Sequence, residues 1–207
     1  MRGVDWDEIR ARYEPLVGRV TDRAELADLL AQMSAHFGAL HSQVRGGDLR
    51  QDPAAPKPAR LGARFVAVEG GLRIERLFRT DPELPEDRGP LQQPGIDVRE
   101  GDVLLRVNAR AVTDEIALSE ALANQAGQQV LLDLRRGLTE LQRVVVPASA
   151  ERDAQLRYSD WLEGVRGKVA ARDPRIGYLH LRAMGGGDIA GFVRDFYANH
   201  DQQGLII

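Results

Sequence analysis

The stretch Gly95-Ile96-Asp97-Val98-Arg99-Glu100-Gly101-Asp102-Val103-Leu104-Leu105-Arg106-Val107-Asn108 decides how the chain is read. A charged turn bounded by Gly95 and Gly101 runs directly into an apolar segment, and strand alternation puts Val103, Leu105 and Val107 on one side of it. Asn108-Ala109-Arg110 supplies the next turn. Before this stretch, Arg64–Val68 and Leu72–Leu77 alternate around Gly70-Gly71, which predicts a hairpin, and the proline-rich segment Thr80–Pro94 reads as a loop. After it, Thr113 is placed to cap a helix in which Ile116, Leu118, Ala121 and Leu122 face inward and which Gly127 ends. Val130–Arg135 and Leu141–Val146 predict a second hairpin around Gly137. Strands and one helix therefore form a module over residues 61–148.

The segments on either side follow a different period. Trp6, Ile9, Tyr13, Leu16 and Val17 recur at helical spacing, with Pro15 placed to kink or end the helix. Asp22 is a candidate N-cap with Glu25 three residues on, and Leu26, Leu29, Leu30, Met33, Phe37 and Leu40 share one apolar face. Two helices of this size bury too little area to be stable alone, so they are expected to dock on something larger. A turn-rich exit over Leu40–Asp48 and the segment Asp52–Pro58 predict an extended linker and a boundary near residue 60. Beyond Pro147, Leu156, Tyr158, Trp161, Leu162, Val165 and Val169 give an amphipathic helix, Ile176–Leu181 a strand, Ile189–Tyr197 a helix and Leu205 onward another strand. Strand, helix and strand joined by a short Gly-rich connection make a βαβ unit and predict a parallel pair. The expected class is α+β, with a helical part over residues 1–60, the module over 61–148 and the start of an α/β part over 149–207. Gly204-Leu205-Ile206-Ile207 reads as the opening of a buried strand, so a longer parent chain is expected.

Composition narrows the function. With 43% hydrophobic and 29% charged residues, the 207-residue chain has the make-up of a folded, soluble protein. A net charge of −3, with Lys57 and Lys168 as its only lysines, gives no clustered basic surface for nucleic acid. No stretch approaches the roughly 18 apolar residues of a membrane helix, and Met1–Asp7 lacks the basic-then-apolar order of a signal peptide. The absence of cysteine removes disulfides and thiolate metal sites, and fits a cytoplasmic or a periplasmic compartment equally. Met184-Gly185-Gly186-Gly187-Asp188 precedes a helix, where amides attract anions, but it has neither the Gly-Lys-Ser/Thr ending nor the Gly-x-Gly-x-x-Gly spacing of nucleotide loops.

The order of strands and helix around Gly95–Asn108 resembles a PDZ domain of the bacterial protease type. That resemblance implies a β-barrel or sandwich that takes an extended peptide as an added strand, with loop amides meeting a terminal carboxylate. Gly70, Gly71, Leu72, Arg73 and Ile74 are then the expected peptide-binding residues, framed by the helix Thr113–Asn124. Alternation alone leaves open the reading of Leu72 and Ile74 as core only.

A wider pattern places the module. The helix ending in Leu40-His41-Ser42, the turn Gly46-Gly47-Asp48, the PDZ-like module, Arg175-Ile176-Gly177-Tyr178-Leu179-His180-Leu181, the Gly-rich turn and Gly204–Ile207 together resemble the tricorn family of serine peptidases, relatives of the C-terminal-processing proteases. The resemblance implies peptide-bond hydrolysis, peptides or unfolded polypeptide as substrate, and a parent that assembles as a homo-oligomer; it calls for no metal and no cofactor. His41 matches the family's general base, and Gly185 or Gly186 the turn that lends a backbone N–H to the oxyanion hole. In the family pattern a serine precedes that histidine; Leu40 stands there in this chain, which leaves the orientation of His41 to another group, with Ser42 as a candidate. The alternatives are a surface-turn histidine at position 41 and a plain connector with Asp188 as helix cap. His36 and His180 are read as structural, and His200 as a solvent-exposed helix-end residue. The family's nucleophilic serine and supporting acid follow the strand that begins at Leu205, so Ser34, Ser42, Ser119, Ser149 and Ser159 are not assigned, and the chain alone is expected to be inactive. A non-enzymatic PDZ adaptor with scaffold flanks is the other functional reading.

Overall fold

Two acidic caps start the first two helices in the computed structural model, which describes residues 4–39, 42–45, 52 and 54–207. They belong to the first of two units, which runs to Ala55. Helix α1 (Trp6–Val17) is capped by Asp5, whose carboxylate accepts the N–H groups of Asp7 and Glu8. Pro15 sits inside the last turn and the helix continues past it to Val17. Helix α2 (Arg23–Ala35) is capped by Asp22 through the Glu25 N–H, and the Glu25 carboxylate reaches back to the Thr21 N–H and hydroxyl. The Tyr13 hydroxyl lies 3.0 Å from His36 Nε2, and the Trp6 and Phe37 rings meet at 5.3 Å. Ile9 and Tyr13 are the buried residues of α1, and α2 buries none, so aromatic and polar contacts join this pair as much as an apolar core does.

The second unit starts at Pro56. Strands β1 (Ala59–Arg60), β2 (Ala63–Val68) and β3 (Gly71–Leu77) lead into the proline-rich loop, which is punctuated by short 3-10 turns at Pro85–Asp87 and Pro90–Gln92. Then come β4 (Val103–Val107), β5 (Arg110–Ala111), helix α3 (Glu115–Ala121), β6 (Val130–Arg136), β7 (Thr139–Val145) and β8 (Ala148–Ser149). Strands β2, β3, β4, β6 and β7 are hydrogen-bonded in that order, all antiparallel, and β5 adds to β4. The class is α+β, but the expected barrel or sandwich is an open six-stranded sheet with β2 and β7 at its edges. Leu72, Ile74, Leu104, Val107, Leu132 and Leu134 form one core with Leu118, Ala121 and Leu122 from the α3 region.

Two local readings shift by one residue. Leu104 has no exposed area and Leu105 is only partly buried, the reverse of the predicted face. The register of β4 against β6 jumps between Leu104 and Arg106, and this bulge returns Val107 to the same face as Leu104. Asp114, not Thr113, caps α3 by accepting the Ala117 N–H, and Ile116 consequently points outward at 73% exposure.

The chain continues through helix α4 (Ala150–Arg172), β9 (Ile176–Tyr178), helix α5 (Gly186–Ala198) and β10 (Gly204–Ile206). Ser149 caps α4 through the Arg152 N–H. Strands β9 and β10 pair in parallel, Ile176 with Gly204 and Tyr178 with Ile206, as the βαβ pattern predicts. No helix among the described residues is long and apolar enough to cross a membrane.

Charge holds the stretch that decides the fold. Asp102, 2% exposed, accepts hydrogen bonds of 2.8 Å from both Nε and Nη2 of Arg136 and one of 2.9 Å from the Arg99 N–H. Burial alone would raise the Asp102 pKa, but these donors outweigh it and hold the carboxyl below its ordinary value. Folding therefore favours the ionised form: the contribution is complete above the ordinary carboxylate range and is lost as pH falls through the lowered folded value, below about pH 4. Asp102→Ala, which also strips the Arg99 N–H of its acceptor, is expected to cost about 2–3 kcal/mol at pH 7. Denaturant unfolding checks this: the gap from the unsubstituted chain should narrow below about pH 4, and an unchanged midpoint at pH 7 contradicts it.

Candidate peptide groove and glycine turn

Strand addition needs an edge, and the sheet offers it at β2. Strand β3 is paired with β2 on one side and β4 on the other, and the Ile74 backbone also bonds Gly101 and Asp102. The expected peptide-binding residues therefore sit in a filled position. Gly70 is in the β2–β3 turn, Arg73 pairs with both Val66 and Val103, and Leu72 and Ile74 are core residues at most 1% exposed. A Cβ on Gly71 would run into the Leu104 carbonyl, so this glycine serves close strand approach. Among the described residues β2 has a single strand neighbour, and a groove of about 260 Å³ runs between it and α3, floored by Leu61, Phe65, Leu118 and Leu122. The chain enters this groove through Arg60-Leu61-Gly62. Gly62 has φ +70°, and a Cβ there would lie 3.0 Å from both Leu156 Cδ1 and Pro90 Cδ, so only glycine fits. Alternation is the same in both strands of a hairpin, so it does not tell the central strand β3 from the edge strand β2. The distinguishing feature is topological: β2 pairs only with its hairpin partner β3 among the described residues.

Helix α4 backs the groove and carries the rest of the site on its other sides. Asp160, 9% exposed, accepts Arg76 Nε at 2.6 Å and Nη2 at 2.8 Å, and the Arg79 N–H and Nε at 3.2 and 3.3 Å. Burial pushes its pKa up, but the Arg76 and Arg79 donors more than reverse this and leave it below the ordinary value. On another side the Tyr158 hydroxyl lies 2.8 Å from His180 Nδ1, and the Trp161 ring meets the imidazole edge-on at 4.8 Å. Burial raises the pKa of the Tyr158 hydroxyl, which keeps the phenol neutral. Further along, Arg166 binds the buried Asp195 of α5. Tyr158, His180, Arg166 and Asp195 line a cleft of about 550 Å³ that also reaches Gly187 and Asp188.

The glycine turn is where the sequence places it. Gly185 is the N-cap of α5 and Gly186 its first residue, both exposed, and no side chain caps the helix. The N–H groups of its first turn therefore lack intrahelical acceptors. Asp188 lies inside that turn and does not act as the cap. The predicted base, His41, lies outside the described residues together with Leu40 and the Gly46–Asp48 turn. Ser34 donates to the Leu30 carbonyl, Ser119 accepts from Arg60 and Ser149 caps α4, which accounts for three of the unassigned serines. His200, on the exposed turn after α5, pairs with Asp201 at 3.0 Å. Among the described residues no His, Asp or Glu group forms a metal cluster.

Residues 59–151 match the tricorn protease PDZ domain and residues 1–35 the tricorn protease C1 domain. All of the chain aligns with tricorn protease homolog 1 of Streptomyces coelicolor, at 32% identity over 212 residues. The chain belongs to the tricorn protease family. The putative tricorn-like protease C-terminal subunit of Sulfurisphaera tokodaii is 31% identical over 98% of the chain. The crystal structure of the tricorn protease matches 96% of it with a TM-score of 0.82 at 23% identity, a likeness of fold. The chain spans 19% of the length of the Streptomyces relative and 23% of that of the Sulfurisphaera one. The tricorn PDZ match begins at β1, which pairs with β8, and ends in the first turn of α4.

Asp160→Ala is expected to destabilise the second unit by about 2 kcal/mol, because a nearly buried acceptor of four bonds is lost while Arg76 and Arg79 can turn to water. The matching fall in Tm is roughly 4–8 °C by calorimetry, and a shift under about 1 °C contradicts the clamp. Gly62→Ala is expected to destabilise by about 1–3 kcal/mol through its φ and the Leu156 contact, with denaturant unfolding as the check.

Proposed function

We propose that the protein to which this chain contributes hydrolyses peptide bonds by acyl-enzyme chemistry, and that the groove between β2 and α3 binds an extended stretch of peptide. The observation that carries the reading is the end-to-end alignment with a tricorn protease homolog, running through the helical part, the PDZ domain and the βαβ unit. His41 is assigned as general base, taking the proton of a serine nucleophile. No serine of this chain is assigned that role. Gly185 and Gly186 are assigned to the oxyanion hole; the support is the uncapped first turn of α5, whose free amides can stabilise developing negative charge. Peptide enters the groove as an added strand on β2, with the Arg60-Leu61-Gly62 entry loop at its end.

In the whole protein, His41→Ala is expected to lower kcat on a peptide substrate about a thousandfold or more with little change in folding. Undiminished peptidase activity removes His41 from the mechanism. For the groove, titration of the chain with a fluorescent extended peptide should give saturable binding, and Gly62→Ala should weaken it; absence of saturation with every peptide tried removes the groove assignment.

A further inference from the structure

The groove contains a residue that the PDZ sheet does not supply. Arg157 comes from α4, outside the strands and helix that build the groove, and lines it together with Arg60, Arg64 and Glu115. Its side chain is held at two points. Nε donates to Asp153 Oδ2 at 2.7 Å, and the guanidinium carbon sits 5.0 Å from the centre of the buried Phe78 ring. Asp153 is itself 4% exposed, so the anchor is fixed inside the fold. Neither terminal nitrogen of Arg157 has a hydrogen-bond acceptor among the described residues, and its side chain keeps 57% of its area exposed. A guanidinium pinned at Nε and stacked on a ring, with its two terminal NH₂ groups open, is prearranged for a carboxylate.

The neighbouring charges set what that carboxylate belongs to. Arg60 donates from Nη1 to the Ala59 carbonyl and the Ser119 hydroxyl, and it pairs with no carboxylate among the described residues. Arg64 is already satisfied by Glu75 at 2.6 Å. Two guanidinium groups without a full complement of acceptors therefore face one groove, against the single lining carboxylate of Glu115. The lining therefore keeps a net positive charge, and because strand addition gives a terminal carboxylate to the backbone amides of the entry loop, the Arg157 fork is left for an acidic side chain. We propose that Arg157 is a specificity-determining residue of the groove, selecting extended peptides that carry an Asp or Glu side chain near the bound end. The proposal rests on the groove reading given above and adds a residue that belongs to the helix behind the PDZ domain.

The test uses the 207-residue chain and a fluorescent, free-C-terminus peptide with Glu or Gln at each of its last four positions in turn. At one position the unsubstituted chain should prefer Glu over Gln by about five- to tenfold, and less at high salt. Arg157→Gln should remove that preference while leaving the affinity for the Gln peptide within about twofold. Because Arg157→Gln leaves buried Asp153 unpaired, Arg157→Lys is measured beside it. Lysine keeps the ion pair but not the planar fork, and should reduce the preference to about twofold with unfolding unchanged. A Glu preference that survives in both variants overturns the proposal. So does loss, in the variants, of discrimination between free and amidated C-termini with the Glu preference intact, since the fork would then read the terminal carboxylate. Failure of all peptides to bind the unsubstituted chain defeats the groove reading itself, a result distinct from either.

Discussion

The Asp160 carboxylate is the constraint on which the arrangement of the second unit depends. It sits on α4, yet its four donors come from Arg76 at the end of β3 and from Arg79 just beyond. A charge this deeply placed is costly unless every oxygen is satisfied, and a bidentate guanidinium with a backbone N–H satisfies it only in one relative position of helix and sheet. Apolar contacts such as Leu156 against Gly62 and Pro90 supply area, but area is indifferent to small slides. The ion cluster fixes the register, and Leu156 then closes on a glycine that has no room for a side chain.

The same device recurs. Asp102 fixes the turn before β4 through Arg136, and Asp195 fixes α5 to α4 through Arg166. In each case a buried acid on one element meets an arginine on another. With 5% aromatic residues and 29% charged ones, the chain uses buried carboxylate–guanidinium pairs where a more aromatic sequence would use ring packing.

This explains what the sequence could and could not tell. The hairpins and the parallel βαβ pair were legible because they follow from period, turn residues and spacing, all of them local signals, and the likeness to the tricorn family lay in the order of those parts. The face of β4 was misread because a bulge between Leu104 and Arg106 breaks a period that is otherwise strict. The cap of α3 slipped by one residue because Thr113 and Asp114 are both good caps, and only the backbone decides between them. The burial of Asp102, Asp160 and Asp195 was not legible, because nothing local marks an acid whose arginine partner lies 29 to 84 residues away. That β3 is central and β2 an edge was not legible for the same reason: edge and centre are properties of the whole sheet, not of a segment.

Helix α4 then has to be understood as a wall with two working sides. Successive residues of an α-helix point about 100° apart, so Arg157 and Tyr158 face different directions from neighbouring positions. Arg157 lines the β2–α3 groove; Tyr158 holds His180 at the cleft that reaches the glycine turn. One rigid element about 10 Å across thus separates the two cavities. Its position is set by Asp160, one turn further on, and not by either cavity. A small slide of α4 along its axis would leave the buried apolar area nearly intact and misplace Arg157, Tyr158 and Asp160 together. The cluster around Asp160 is therefore what makes the geometry of both cavities a single choice, which an apolar interface of equal size would leave free to slip.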